Sequence, residues 1–361
     1  MHGSINPREL RALGLKPEDL LDFSASISPI GPPEGVWEAI RSVDLSAYPD
    51  PECLELREAI CRHLSTSSRE IPTERVLVGN GSTEIFHLLA RAFLSNRAGG
   101  GAAILLTPTY GEYEGACRLA GAAVWNLDAD HSDDFRWDIA AAAGLISDKQ
   151  PDLVIVCNPN NPTGVYLDRG DVEALAGAAG DVGSLLVVDE AYLSFVESPW
   201  DSLELLEWDN VMLVRSMTKD YAQTALRLGY ALGSQDVVSS LRNYQPDWSV
   251  NSLAQKAGIA ALEDAGYLPR ARDAVSRSKK YLSAELTALG LEVTRSEANF
   301  LLVKVGDAPK WRSLLLPEGV VVRDCTSFGL PEYIRVGIRS MADCQRLAAA
   351  MSEVAQAALA D

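Results

Sequence analysis

The chain has 361 residues, 47% hydrophobic and 23% charged, which is the balance of a globular protein long enough for two domains. Its net charge of -18 at pH 7 argues against nucleic acid or an anionic membrane surface as a partner. No apolar run approaches the roughly 18 residues of a membrane span, and the N-terminus, with His2 and Arg8 but no apolar segment, does not read as a signal peptide.

Residues 1–45 read as an arm that contributes to the small domain and the active site, with a proline-rich bend at Ser28-Pro29-Ile30-Gly31-Pro32-Pro33. Residues 46–245 read as an α/β region. Its first apolar run, Val76-Leu77-Val78, leads into Gly79-Asn80-Gly81-Ser82-Thr83-Glu84 and an amphipathic stretch. A glycine-rich turn that opens a helix presents free N–H groups and a positive dipole end, which suits an anion. No G-x-G-x-x-G is present, so the dinucleotide fingerprint is absent. The stretch 98–101 reads as a flexible turn.

Three later runs end in polar residues. Residues 153–157 run into Asn158-Pro159-Asn160-Asn161-Pro162-Thr163-Gly164; 185–188 into Asp189-Glu190-Ala191-Tyr192; 211–214 into Ser216-Met217-Thr218-Lys219. Short β-branched runs predict parallel strands covered on both faces, and ligands of such sheets sit beyond the carboxyl ends. Asn161, Asp189, Tyr192 and Lys219 are therefore expected on one rim. Lys219 is one of eight lysines and the sole one between positions 150 and 255. A lysine desolvated at a strand end is suited to Schiff-base chemistry, and the flanking hydroxyls with Arg227 suit a phosphate.

After a break at Tyr244-Gln245-Pro246, residues 246–361 read as a small α+β domain. Helices are expected over 249–263 and 268–289, strands near 291–293, 300–303, 320–322 and 333–336, and a closing helix from Met341. Six cysteines are scattered without metal spacing and read as reduced, buried thiols of a cytoplasmic protein. Four histidines, none paired at ligand spacing, argue against a metal site.

Taken together, Asn-Gly-Ser-Thr-Glu, Pro-Asn-Asn-Pro-Thr-Gly, Asp-Glu-Ala-Tyr and Ser-x-Thr-Lys with Arg-Leu-Gly-Tyr resemble the fold-type-I pyridoxal-phosphate enzymes of the class I/II aminotransferase family, over nearly the whole chain. The resemblance implies an α/β large domain with a mainly parallel sheet plus a small α+β domain. It implies pyridoxal 5'-phosphate held by Lys219 as a Schiff base, Asp189 at the ring nitrogen, and Asn161 and Tyr192 at the ring hydroxyl. It places Gly81, Ser82, Thr83, Ser216 and Arg227 at the phosphate and Tyr110 on the ring face. Tyr48 would reach the cofactor phosphate of a neighbouring subunit, which implies a homodimer with shared sites.

Within the family, His2-Gly3, the stretch 21–29, Tyr48-Pro49-Asp50-Pro51, Trp248-Ser249-Val250-Asn251, Arg323-Asp324-Cys325 and 334–339 look most like the threonine-phosphate decarboxylases of cobalamin biosynthesis. The histidinol-phosphate aminotransferases come next. Ser4 and Asp220 depart from that pattern and put the substrate in doubt more than the reaction class. The resemblance implies a small phosphorylated amino acid as substrate. Arg335 would clamp its carboxylate, with Arg323, Arg339 and His2 as candidates for its phosphate.

Overall fold

A computed structural model describes residues 7–95 and 100–358. Seven strands form the principal sheet, in the spatial order Val76–Asn80, Leu228–Leu232, Val211–Ser216, Leu185–Asp189, Leu153–Cys157, Ala102–Thr107, Ala123–Asp128. Leu228–Leu232 runs antiparallel to both of its neighbours, and the remaining pairings are parallel. Leu153–Cys157, Leu185–Asp189 and Leu228–Leu232 are buried along their whole length, because apolar layers cover both sheet faces. This is why the runs are continuously apolar rather than alternating.

The chain reverses direction across the sheet between Ala102–Thr107 and Leu153–Cys157. Ala123–Asp128 lies outside the first of these strands, and all later strands add on the other side of the second. A crevice opens at such a reversal beyond the carboxyl ends. Register then aligns the chemistry: Cys157 pairs with Asp189, and Ser216 pairs with Gly229.

A second sheet of four antiparallel strands has the order Arg323–Asp324, Tyr333–Gly337, Phe300–Lys304, Glu292–Val293. Helices Tyr267–Ala288 and Met341–Ala358 pack together beside it, and Val275, Leu282, Leu347 and Met351 share one apolar cluster with Phe300, Ile334 and Val336. Two contacts tie these parts of the chain together. Val320–Val321 pairs in parallel with Leu21–Asp22, so the N-terminal arm is stitched onto the C-terminal part of the chain. Apolar packing also continues across the expected break after Gln245: Ala254, Ala257 and Ala261 of helix Ser252–Glu263 lie in the same cluster as Val211 and Leu213 of the large sheet. That helix faces Glu34–Arg41 of the arm.

Candidate active site

One cavity lies at the carboxyl rim of the large sheet and is closed by the second sheet and the arm. Its lining includes Ser82, Thr83, Tyr110, Asn161, Asp189, Tyr192, Ser216, Lys219, Arg227, Arg323 and Arg335. Residues read from separate segments of the sequence thus meet at one place.

The anion end is built from backbone. Helix Gly81–Phe93 starts at Asn80 without a side-chain cap, so its first-turn N–H groups face the cavity end. Gly81 has φ +72°, and a Cβ there would lie 2.9 Å from Arg227 Nη2. At Gly229 a Cβ would lie 2.5 Å from the Ser82 nitrogen and 3.0 Å from the Arg215 carbonyl oxygen. The missing side chains let the helix N-terminus, the end of strand Val211–Ser216 and the Arg227 guanidinium converge. The buried Ser216 and Thr218 hydroxyls sit 2.7 Å apart at the same end.

Lys219 follows that strand, and the arm fastens its backbone: the Ser28 N–H donates to the Lys219 carbonyl at 2.8 Å. Burial, then the nearby Arg335 and Arg227 charges, bring the Lys219 amine down to about 8, against a smaller upward pull from Asp189. Asp189 is buried at the end of Leu185–Asp189. Burial pushes its carboxyl up to about 6, although Tyr113 O–H donates to Oδ2 at 2.5 Å and the Ala191 N–H to Oδ1 at 3.0 Å. Both partners are neutral, so this buried carboxylate is poised for a cation. Burial also raises the Tyr110 phenol, against a hydrogen bond with Thr83.

At the other end, Arg323 and Arg335 stand directly opposite each other on paired strands. Arg335 donates through Nη1 to Asn161 Oδ1 and through Nη2 to the Ser24 carbonyl at 2.8 Å; its guanidinium lies 5.1 Å from the Phe300 ring centroid. Its Nε is buried without a partner. Arg323 donates to Ser327 Oγ at 2.7 Å and lies over Phe328 at 5.4 Å. Burial and the facing Arg335 lower its pKa.

Arg339 and Tyr48 do not line this cavity. Arg339 is a correction: it lies past the end of strand Tyr333–Gly337, where Asp343 one helical turn on takes its Nε at 3.1 Å and the Asp22 carbonyl takes Nη1 at 3.3 Å. Tyr48 is 80% exposed, its ring lies 4.8 Å from that of Trp248 in a tilted pair, and it does not line its own chain's cavity. His2 lies outside the described residues.

The structure also places in the cavity residues to which the sequence reading gave no individual site role: Tyr113, Cys157, Phe328 and the Ser24-Ala25-Ser26 segment. The Ser26 hydroxyl is buried there without a hydrogen-bond partner. Tyr113 lies in the first turn of helix Glu112–Leu119, three residues after Tyr110, and its ring meets the Tyr110 ring edge-on. Ser26 lies in the stretch 21–29 that carries the resemblance, but its own place depends on where the arm docks.

A family model described as aminotransferase class I and II matches residues 18–351. The chain belongs to this family. It is 32% identical over 362 residues to the threonine-phosphate decarboxylase of Salmonella typhimurium, covering 98% of this chain and 96% of that one. It is 34% identical over 339 residues to the histidinol-phosphate aminotransferase of Symbiobacterium thermophilum, covering 91% and 88%. The histidinol-phosphate aminotransferase of Sinorhizobium meliloti, solved in complex with pyridoxal-5'-phosphate, superposes with a TM-score of 0.84 at 26% identity, covering 98% and 95%. The fold is that of the fold-type-I enzymes, and the cofactor is pyridoxal 5'-phosphate. The residues present fit it: a glycine-cleared, uncapped helix end with Arg227 for the phosphate, a lysine with a lowered pKa for the aldehyde, and a buried anion for the ring nitrogen.

Proposed function

We propose that the protein decarboxylates a phosphorylated hydroxy-amino acid, L-threonine O-3-phosphate or its serine analogue, to an aminoalkyl phosphate. The observation that carries this reading is the Arg323–Arg335 cross-strand pair facing one cavity. Like charges placed directly opposite on neighbouring strands cost stability. A substrate with two anionic ends offsets that cost. The overall charge of -18 means the attraction has to be made locally.

The roles follow from position. Arg335, with its partnerless buried Nε, takes the carboxylate, and Arg323 with the Ser26 hydroxyl takes the phosphate. Pyridoxal phosphate, when bound, accepts the electron pair released as a bond at the substrate Cα breaks. Asp189 keeps negative charge at the ring nitrogen. Phosphate held by Arg323, remote from Cα, supplies binding energy that can hold the carboxylate out of the ring plane. Carbon dioxide leaves and a proton takes its place at Cα; Lys219, with a pKa near 8, can return that proton around neutral pH. With threonine phosphate the product is 1-aminopropan-2-ol phosphate, a unit for the nucleotide loop of cobamides. Tyr48 and Trp248, exposed together on one face, support a homodimer in which Tyr48 serves the partner's cofactor.

A second reading is transamination of the histidinol-phosphate type, favoured by the 34% identity to such an aminotransferase. Incubation with phosphothreonine, phosphoserine and, separately, histidinol phosphate with 2-oxoglutarate distinguishes the two. Carbon dioxide from a phosphoamino acid, with unphosphorylated threonine a very poor substrate, is the expected result. Glutamate formation without carbon dioxide overturns the decarboxylase reading.

A further inference from the structure

Tyr113 sits on helix Glu112–Leu119 with no exposed surface, in the apolar layer formed by Phe86, Leu105, Ile155 and Val187. Its ring meets Phe86 edge-on at 4.6 Å and Tyr110 at 5.5 Å. A phenylalanine would fill this slot without burying a hydroxyl, so packing does not explain the phenol. The hydroxyl instead donates to Asp189 Oδ2 at 2.5 Å, while the Ala191 N–H holds the other oxygen.

We propose that Tyr113 is a positioning residue: its O–H holds the Asp189 carboxylate ionised and aimed at the ring nitrogen of the cofactor. A buried carboxylate facing a protonated ring can take that proton and leave a neutral pair, which removes the electron sink. A second donor stabilises the anion over the acid and opposes this.

The titratable groups that face Asp189 are Tyr110, Tyr113, Cys157, Glu190, Tyr192 and Lys219. Among the influences on the carboxyl, the Tyr113 hydrogen bond is the largest that acts against burial; Lys219 helps less, and Glu190 works in the opposite direction. Burial drives the Tyr113, Cys157 and Tyr192 acids upward, so Tyr113 remains a proton donor at any working pH. The inference rests on the family cofactor and is independent of whether the substrate loses carbon dioxide or its amino group.

The test compares Tyr113→Phe with Tyr113→Leu. Cofactor affinity of the apo-protein is measured from pH 5 to 9 by quenching of tryptophan fluorescence, alongside Tm, kcat and KM. Without the donor the carboxyl becomes harder to ionise, so the acid-side fall in affinity should move to higher pH. At neutral pH, Tyr113→Phe should bind cofactor about tenfold more weakly, the scale of one charge-assisted hydrogen bond. Its kcat should fall with KM little changed, and its Tm should stay near wild type. In an Asp189→Asn background the same change should have no further effect on affinity. An unmoved acid limb in Tyr113→Phe overturns the proposal, as does an equal loss in the Asp189→Asn background. A loss confined to Tyr113→Leu and matched by its Tm would show that the ring only packs.

Discussion

The two ends of the cavity are made differently. The phosphate and ring end is held by strand termini of the large sheet, by helix N–H groups, and by glycines that permit contacts no other residue allows. The substrate end is made from long side chains on a four-stranded sheet and from an arm stitched on by a two-residue strand. Backbone cradles fix an anion geometrically and leave little to vary. Arginines on a smaller sheet can be re-aimed by small changes around them. On the proposed reading, the first end fixes the cofactor, and the second decides which substrate bond lies where it can break.

The largest effect expected is at the first end. Lys219→Ala should bring turnover below detection, since both the covalent anchor and a proton carrier are lost. Borohydride should fix cofactor to the wild-type peptide containing Lys219 and to no peptide of the variant; label on Lys149 or Lys256 would refute the assignment. Next is Gly229→Ala. Its methyl would meet the Ser82 nitrogen at 2.5 Å, and backbone on both sides must move. Overpacking of this kind costs about 1–3 kcal/mol, and the strain falls on the phosphate cradle. Cofactor affinity by fluorescence titration should drop more than Tm does. Wild-type affinity would mean that the close approach is not what forms the cradle.

The same contrast accounts for what was legible in the sequence. Each residue of the cofactor end lies at the end of an apolar run or in a short motif beside it, so strand pattern alone predicted that Asn161, Asp189, Tyr192 and Lys219 share a rim. The substrate end depends on docking between distant segments. Nothing local in 21–29 shows that Ser28 holds the Lys219 carbonyl or that Ser26 faces the cavity. Arg339 was misplaced for a related reason. It has the parity of Arg335, but the strand ends at Gly337 and the next helix supplies Asp343 as a partner. The Val320–Val321 pairing with the arm was likewise invisible to a pattern read segment by segment.

A smaller effect should separate stability from function at the substrate end. Arg323→Gln removes one of two like charges that face each other across paired strands. Relief of that repulsion is worth about 0.5 kcal/mol, so the ligand-free protein should melt slightly higher. Activity on a phosphorylated substrate should fall sharply, with a much smaller loss on one that lacks the phosphate. Calorimetry and paired kinetics check both signs. A Tm several degrees lower would show that Arg323 is structural, and equal losses on both substrates would remove it from the phosphate.

The smallest effect links the two ends. Arg335 belongs to the substrate end, yet after burial it is the leading influence that lowers the Lys219 pKa to about 8. With that value about a tenth of Lys219 is neutral at pH 7, against about 1 in 3,000 for an ordinary lysine amine. Reactivity of the apo-protein lysine should therefore rise with pH and level off just above 8, rather than climb on toward 10.5. Arg335→Gln removes a cation that disfavours protonation, so the midpoint should move to higher pH. Peptide-level labelling with an amine-reactive reagent across pH 6 to 10 reads this directly. A midpoint unchanged by Arg335→Gln would mean that the substrate end does not tune the cofactor lysine, and that burial with Arg227 keeps Lys219 reactive.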